Sequence, residues 1–380
     1  MTSRERIIAA SARRPVDRVP CCATFNPLSA VLRRGHTWGF PWDPDTPADE
    51  QRRYQVEELG LDQVVHTGVD LCRSVEGVES RVWLEGDVLH KAYSTRAGEL
   101  HAAVRYNDMW PHGQDIPFFS DFNVGHYVEP WLQTEADLEV FKTIRHLDTS
   151  PEATEWARER AAAARASADE YELATIASVG MGLTSGQHLF GVRELCMMTI
   201  DNPELVDAYL AYEHEINVAT LRAVAHTGID LIRRNGFYET ADFYGPAMLE
   251  RFLGDRLRRE AQVAREGGML MTYTVHTGVM PILDYLAGLG LDSLFGIDMA
   301  FAGVEPARIR DRLAGVSSFW TGPSSTYHLW KGPEATREAV RMVFEVFGKT
   351  GLILSPCVSA HSIMPWESTL AMIDEWRKLR

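Results

Sequence analysis

The sequence predicts an α/β fold: a single (β/α)8 TIM barrel over residues 1–380, with an antiparallel β insertion over residues 75–106 near its N-terminus. Three observations lead there. Short apolar runs alternate with amphipathic runs of helical period for roughly two hundred residues, the pattern of a parallel sheet covered on its outside. No GxGxxG comes after any of these runs, which disfavours the dinucleotide-binding open sheet. The length of 380 residues suits one large barrel or two ordinary domains.

The first strand is expected at Cys21-Cys22 and the second at Asp62–Val65. Val75–Tyr106 alternates in period two, with glycine turns at Glu85-Gly86-Asp87 and Arg96-Ala97-Gly98, and reads as a meander covering one end of the barrel. Glu172–Ser178 is a buried strand, and the loop Ser178-Val179-Gly180-Met181-Gly182 either admits a bulky ligand or merely turns. It has no P-loop lysine. His188 and Glu194 then lie in a predicted helix. Pro203–Ala225 is a long helix with Asp201 or Asn202 as its cap. Gly228–Arg233 is a strand, Pro246–Glu266 a helix stopped by Gly267-Gly268, and Met269–Val275 a strand. After helix Met280–Leu289 come strand Asp292–Ile297, helix Pro306–Leu313 and strand Val316–Trp320. Helix Pro333–Phe347, strand Gly351–Leu354 and helix Trp366–Leu379 close the chain.

Composition narrows the function. The hydrophobic fraction is 45% and the charged fraction 24%, which excludes a disordered chain. Thirty-eight Lys and Arg against 53 Asp and Glu give a net charge of −15. Such a surface repels nucleic-acid phosphates and anionic lipid, so neither is expected as a partner. An anionic small-molecule substrate would need a locally cationic pocket. Met1–Pro20 lacks the continuous apolar core of a secretion signal, and no run approaches the roughly eighteen apolar residues of a membrane span. Five scattered cysteines point to free thiols in a reducing compartment. A cytoplasmic protein is expected, and a homodimer through the outer helices is compatible with the fold.

In a barrel the reactive groups lie at the C-terminal ends of the strands. The residues just beyond the later strands are Arg234, Asn235, Gly236, Phe237, Tyr238 and Glu239, then His276, then Asp298, then Tyr327 and His328, then Cys357 and His361. Tyr273 lies within the strand leading to His276, and Asn26, His66, Asp70 and Arg73 come after the first two strands. His276, Cys357 and Glu239 offer nitrogen, sulfur and oxygen ligands for Zn2+. The competing reading makes His276 a hydrogen-bonded pocket residue and Cys357 a small buried hydrophobe. Arg233 and Arg234 end a buried strand, and alternation turns one of them inward. There it either recognises a carboxylate or phosphate, or forms a structural ion pair with Asp230 or Glu239.

Four segments carry a resemblance. Arg4–Ile7 leads into Arg14-Pro15-Val16-Asp17-Arg18-Val19-Pro20. Leu189-Phe190-Gly191 precedes Asn202-Pro203-Glu204-Leu205-Val206. His276-Thr277-Gly278 precedes Ile282–Leu286 and Gly290–Leu294. Gly332–Val340 precedes Leu354-Ser355-Pro356 and the last helix. In order and spacing the chain resembles, nearly end to end, the uroporphyrinogen decarboxylase superfamily, which includes methyltransferases that take methyl groups from corrinoid proteins. That resemblance implies a (β/α)8 barrel. The decarboxylases hold their substrate's carboxylates with an arginine-rich loop after strand one, whereas Cys21–Pro27 has no arginine before Arg33. The zinc methyltransferases carry His-x-Cys-Gly, of which His276 and Gly278 remain, and a second cysteine that Cys357 matches. The implied zinc set is therefore incomplete, with Glu239 or His361 as substitutes.

These residues support two enzymatic readings and one binding reading. The first is a methyltransferase working with a separate methylcobalamin-bearing protein and a small-molecule donor or acceptor, with Glu239 or His276 as acid or base. The second is a decarboxylase of uroporphyrinogen or a smaller acid, needing no cofactor, with Arg233 or Arg234 on the carboxylate and Asp70 or His276 handling the proton. Asn235, Tyr238, Tyr273 and His328 would line either substrate. The third is a non-catalytic barrel that binds a ligand.

Overall fold

The computed structural model describes residues 1–26, 41, 46–108, 110–120, 124–357, 359–361 and 364–380, with Asn26 and His361 described in their backbone only. Arg33 and the His361 side chain therefore lie outside the described residues. Seven parallel strands form a curled sheet in the order Val64–Thr67, Ala174–Val179, Leu231–Asn235, Leu270–Thr274, Ser293–Phe295, Ser318–Thr321, Leu352–Leu354. Residues 20–22 complete the circle. The Leu354 N–H donates to the Pro20 carbonyl and Cys22 N–H to Leu354, while on the other side Asp62 N–H donates to Cys21. Sequence reading located each stave to within a few residues. The strand predicted to end at Arg233 runs on to Asn235, and the second includes His66 rather than preceding it.

The barrel interior is packed with Cys22, Ala174, Ile176, Leu231, Phe295, Trp320 and Ile353. Helix Ser3–Ser11 closes the bottom with Ile7 and Ala10, and it starts on a capping box of Thr2 and Glu5. Arg4 and Arg165 both pair with Asp230 at that end. The long helix Pro203–Ala223 is capped by Asn202, as expected. The predicted helix over 246–266 is interrupted by a wider turn at Glu250–Gly254. The meander is a sheet of Glu79–Glu85, Val88–Thr95 and Gly98–Arg105, and a fourth strand, Tyr127–Glu129, that sequence reading missed. Among the described residues, no helix is long and apolar enough to cross a membrane.

Candidate active site

The site forms where neighbouring strands lift side chains above the barrel core. Consecutive residues of a strand face opposite sides, so Arg233 and Arg234 part company. Arg233 turns into the barrel, its guanidinium 3.7 Å from the Phe295 ring centroid. It lines an axial cavity of about 260 Å3 together with His66, Gln63, Ile176 and Trp320. Its Nε is buried without a hydrogen-bond partner, and among the described residues no carboxylate pairs with it. Burial pushes its pKa down to about 10, so it still carries its charge at neutral pH. Asp230, one expected partner, is taken by Arg4 and Arg165.

Arg234 faces outward, between barrel and helices, and is 2% exposed. Glu260 lies 3.2 Å away, Glu239 3.5 Å and Glu213 3.8 Å. Burial opposes its charge, but the three carboxylates hold it firmly protonated. Glu239 accepts the Leu183 N–H at 2.7 Å and the Tyr273 hydroxyl. Burial pushes Glu239 up to about 7 against these attractions. The sequence offers both residues as ligands in the mouth, and Arg234 alternatively as the partner of Glu239 in a structural ion pair; the structure has that ion pair. Tyr273 is likewise fully buried.

The same network fixes the glycine-rich loop. Met181 and Gly182 donate their N–H groups to Glu213 Oε1 at 2.8 and 2.7 Å, and Ser185 Oγ adds a third bond. Gly180 N–H goes to Asn217. The donors that would hold a ligand's phosphate are engaged by the protein's own carboxylates. The loop is thus a turn pinned by Glu213 and Asn217, and its residues Ser178, Val179, Gly180 and Met181 also line a cavity of about 460 Å3.

His276 sits above the strand Leu270–Thr274, half-buried, with Phe237 5.2 Å away ring to ring. Its Nδ1 is 2.8 Å from the Gly296 carbonyl oxygen, which makes Nδ1 the protonated nitrogen and leaves Nε2 with a lone pair. Nε2 is buried without a partner. Burial, and then Arg233, pull the imidazole down to about 4 despite the Gly296 bond. Gly296, at φ +83°, makes room for it: a Cβ there would come within 2.6 Å of His276 Cε1. His66, reached by solvent through the axial cavity, is also held near about 4 by desolvation and by Arg233 and Arg52.

Cys357 is buried, its Sγ 3.2 Å from Thr321 Oγ1 and near the Ile297 and Gly322 carbonyl oxygens. Burial pushes the thiol up to about 12. Among the described residues, no three His, Cys, Asp or Glu side chains gather to hold a metal ion. With Glu239 bonded at both oxygens and Cys357 a neutral thiol, a zinc set of His276, Cys357 and Glu239 does not fit this arrangement. His276 alone offers a free donor atom.

The other expected residues are dispersed. Asn235 Oδ1 accepts from Thr274 Oγ1 at 3.3 Å, and Tyr238 is half-buried with its N–H on Thr184. His328 Nδ1 accepts the Ser324 N–H, and burial lowers its pKa. Asp70 is held by Arg145 through two bonds, 2.6 and 3.2 Å, at the edge of a lateral cavity. Sequence reading missed Glu213 and Glu260. Their signal was present: Glu260 shares the core-facing stripe with Leu257, Ala261 and Ala264, where a carboxylate needs a buried partner.

A model of the uroporphyrinogen decarboxylase (URO-D) family matches residues 113–379. Among solved structures, a methyltransferase from Methanosarcina mazei is 16% identical with a TM-score of 0.63, covering 100% of this chain and 99% of that one. A putative vitamin-B12 independent methionine synthase from Listeria monocytogenes is 12% identical with a TM-score of 0.39, covering 58% and 66%. A D-psicose 3-epimerase from Clostridium cellulolyticum H10 is 10% identical with a TM-score of 0.36, covering 58% and 81%. A search of curated proteins finds no match. With a closed parallel barrel and a family match over most of its length, the chain belongs to the uroporphyrinogen decarboxylase (URO-D) family.

Proposed function

We propose that this protein is a methyltransferase that handles an anionic small molecule in the barrel mouth and exchanges the methyl group with a corrinoid carried by a separate protein. The observation that carries this reading is the half-buried Arg233 guanidinium, its Nε without a hydrogen-bond partner and no carboxylate paired with it among the described residues, near the imidazole of His276, whose Nε2 is free. Arg233 binds the substrate's anionic group through a charge-assisted bond. The His276 tautomer, fixed by Gly296, accepts the hydrogen bond of a substrate N–H, O–H or S–H and takes that proton as the new bond to carbon forms. The corrinoid would supply the methyl group as a methyl-cation equivalent, the cobalt keeping the electron pair of the broken Co–C bond as Co(I). The fold shared with the Methanosarcina mazei methyltransferase accommodates this reading.

The test mixes the protein with methylcobalamin and a panel of organic acids bearing thiol, amine or hydroxyl groups, and monitors cobalt reduction by absorbance. Transfer should occur and should fall on the order of a hundredfold in Arg233→Met. The inward Arg233 guanidinium also suits decarboxylation of a monocarboxylate. Carbon dioxide release with no cobalt change would replace the first reading with that one.

A further inference from the structure

Beside the axial cavity lies a larger one, about 460 Å3, between the ends of two staves and the helices Pro151–Asp169 and Pro203–Ala223. Its walls include Phe141, Trp156, Val179, Tyr209, Tyr212 and Ile216. Its polar groups are already engaged. The Tyr209 hydroxyl meets Ser185, the Tyr212 hydroxyl donates to the Arg145 carbonyl, and Arg145 is neutralised by Asp70. Asn217 and Glu213 hold the glycine-rich loop. A cavity of aromatic walls with no free charge suits an apolar body.

The two cavities share staves. His66 pairs with Ile176, and both line the axial cavity. Two residues further along each strand direction, Gly68 and Ser178 line the lateral cavity, and both are exposed to solvent. Register sets Ser178 beside Arg233. By strand alternation Ser178 faces the same way as Ile176, towards the barrel axis. The unpaired cation and the apolar cavity thus adjoin at one point of the mouth.

We propose that the substrate is an amphipathic organic carboxylate: its charged end sits on Arg233 and its apolar, planar body extends past Ser178 into the lateral cavity. This rests on the role given to Arg233 above. It adds a specificity surface, centred on Ile216 and Trp156, that selects large apolar acids over small ones.

Calorimetric titration with acetate and with 4-phenylbutyrate tests this on the full-length protein. Burial of one ring should make phenylbutyrate bind about ten- to a hundredfold more tightly than acetate. Ile216→Trp, which fills the cavity, should bring the ratio near one. Ile216→Phe, a smaller filling, should give an intermediate ratio and guards against a misfolded tryptophan variant. Arg233→Met should weaken both probes by the same factor. A ratio near one in the unaltered protein, or a ratio that both Ile216 variants leave intact, overturns the bipartite site. Arg233 sensitivity surviving that result would keep the anion-binding reading. Loss of Arg233 sensitivity would instead remove the reading on which the bipartite site stands.

Discussion

Two adjacent arginines on one strand live in opposite worlds. Arg234, on the outer face, is enclosed by Glu213, Glu239 and Glu260. Arg233, on the inner face, has an aromatic ring beneath it and no carboxylate partner among the described residues. Burial opposes both charges, but only Arg234 is compensated for it. A buried ion that has partners builds the scaffold. One that lacks them raises the energy of the folded protein and is retained where an outside anion will complete it. The strand thus sets a compensated and an uncompensated charge within a single peptide unit.

The largest effect should come from removing the compensated charge. Arg234→Met leaves three buried carboxylates without their cation and should destabilise the protein by about 3–5 kcal/mol, read from urea unfolding. Arg233→Met should leave stability within about 1 kcal/mol of the parent, or raise it, because no partner is stranded. Equal losses in the two variants would erase the contrast.

A smaller effect is expected at Gly296. An alanine there carries a Cβ into the space of the His276 ring at a backbone φ of +83°. Gly296→Ala should cost about 1–3 kcal/mol and lower methyl transfer at least tenfold by turning Nε2 away. Unchanged kcat/KM would show that the imidazole orientation is irrelevant to the chemistry.

The last contrast is in pH. His276 is lowered from 6.5 to about 4, so the folded protein binds fewer protons than the unfolded chain between those values. Its contribution to stability is full above about pH 6.5 and declines as pH falls towards 4. Glu239 runs the other way: raised from 4.5 to about 7, it favours the folded state below about pH 4.5, and that advantage is lost as pH rises through 7. Stability of His276→Gln should therefore fall less steeply on acidification than that of the parent. Identical slopes would show that the His276 ring titrates as it does in water.

The barrel was legible because parallel staves are apolar on both faces and helices carry a period of their own. ELATIAS and the run from Met269 to Val275 declare themselves without any partner in view. That one of Arg233 and Arg234 turns inward was also legible, from alternation alone. Which one does so was not. The strand starts at Leu231 rather than Gly228, and only the register against Ile176–Val179 sets the phase. Glu239 looked like a mouth residue because it comes after a strand, yet the turn at Gly236 carries it back towards Tyr273 and Arg234. Two of the three acids that receive Arg234, Glu213 and Glu260, sit on helices remote in sequence, and no local pattern links position 234 to them, whereas Glu239 is near enough to be offered as a partner. The lateral cavity is a gap between packed elements, and a gap has no residue of its own to announce it.

The loop at Gly180–Leu183 carries a consequence for selectivity. Amide groups at the start of a helix are a ready berth for phosphate-bearing molecules such as nucleotides. Here Glu213 and Glu239 are moored in that berth from within the chain. Such visitors are met there by prior occupancy rather than by lack of room, whereas the Arg233 guanidinium, inside the barrel, has no carboxylate partner among the described residues and leaves a guest's charge somewhere to go.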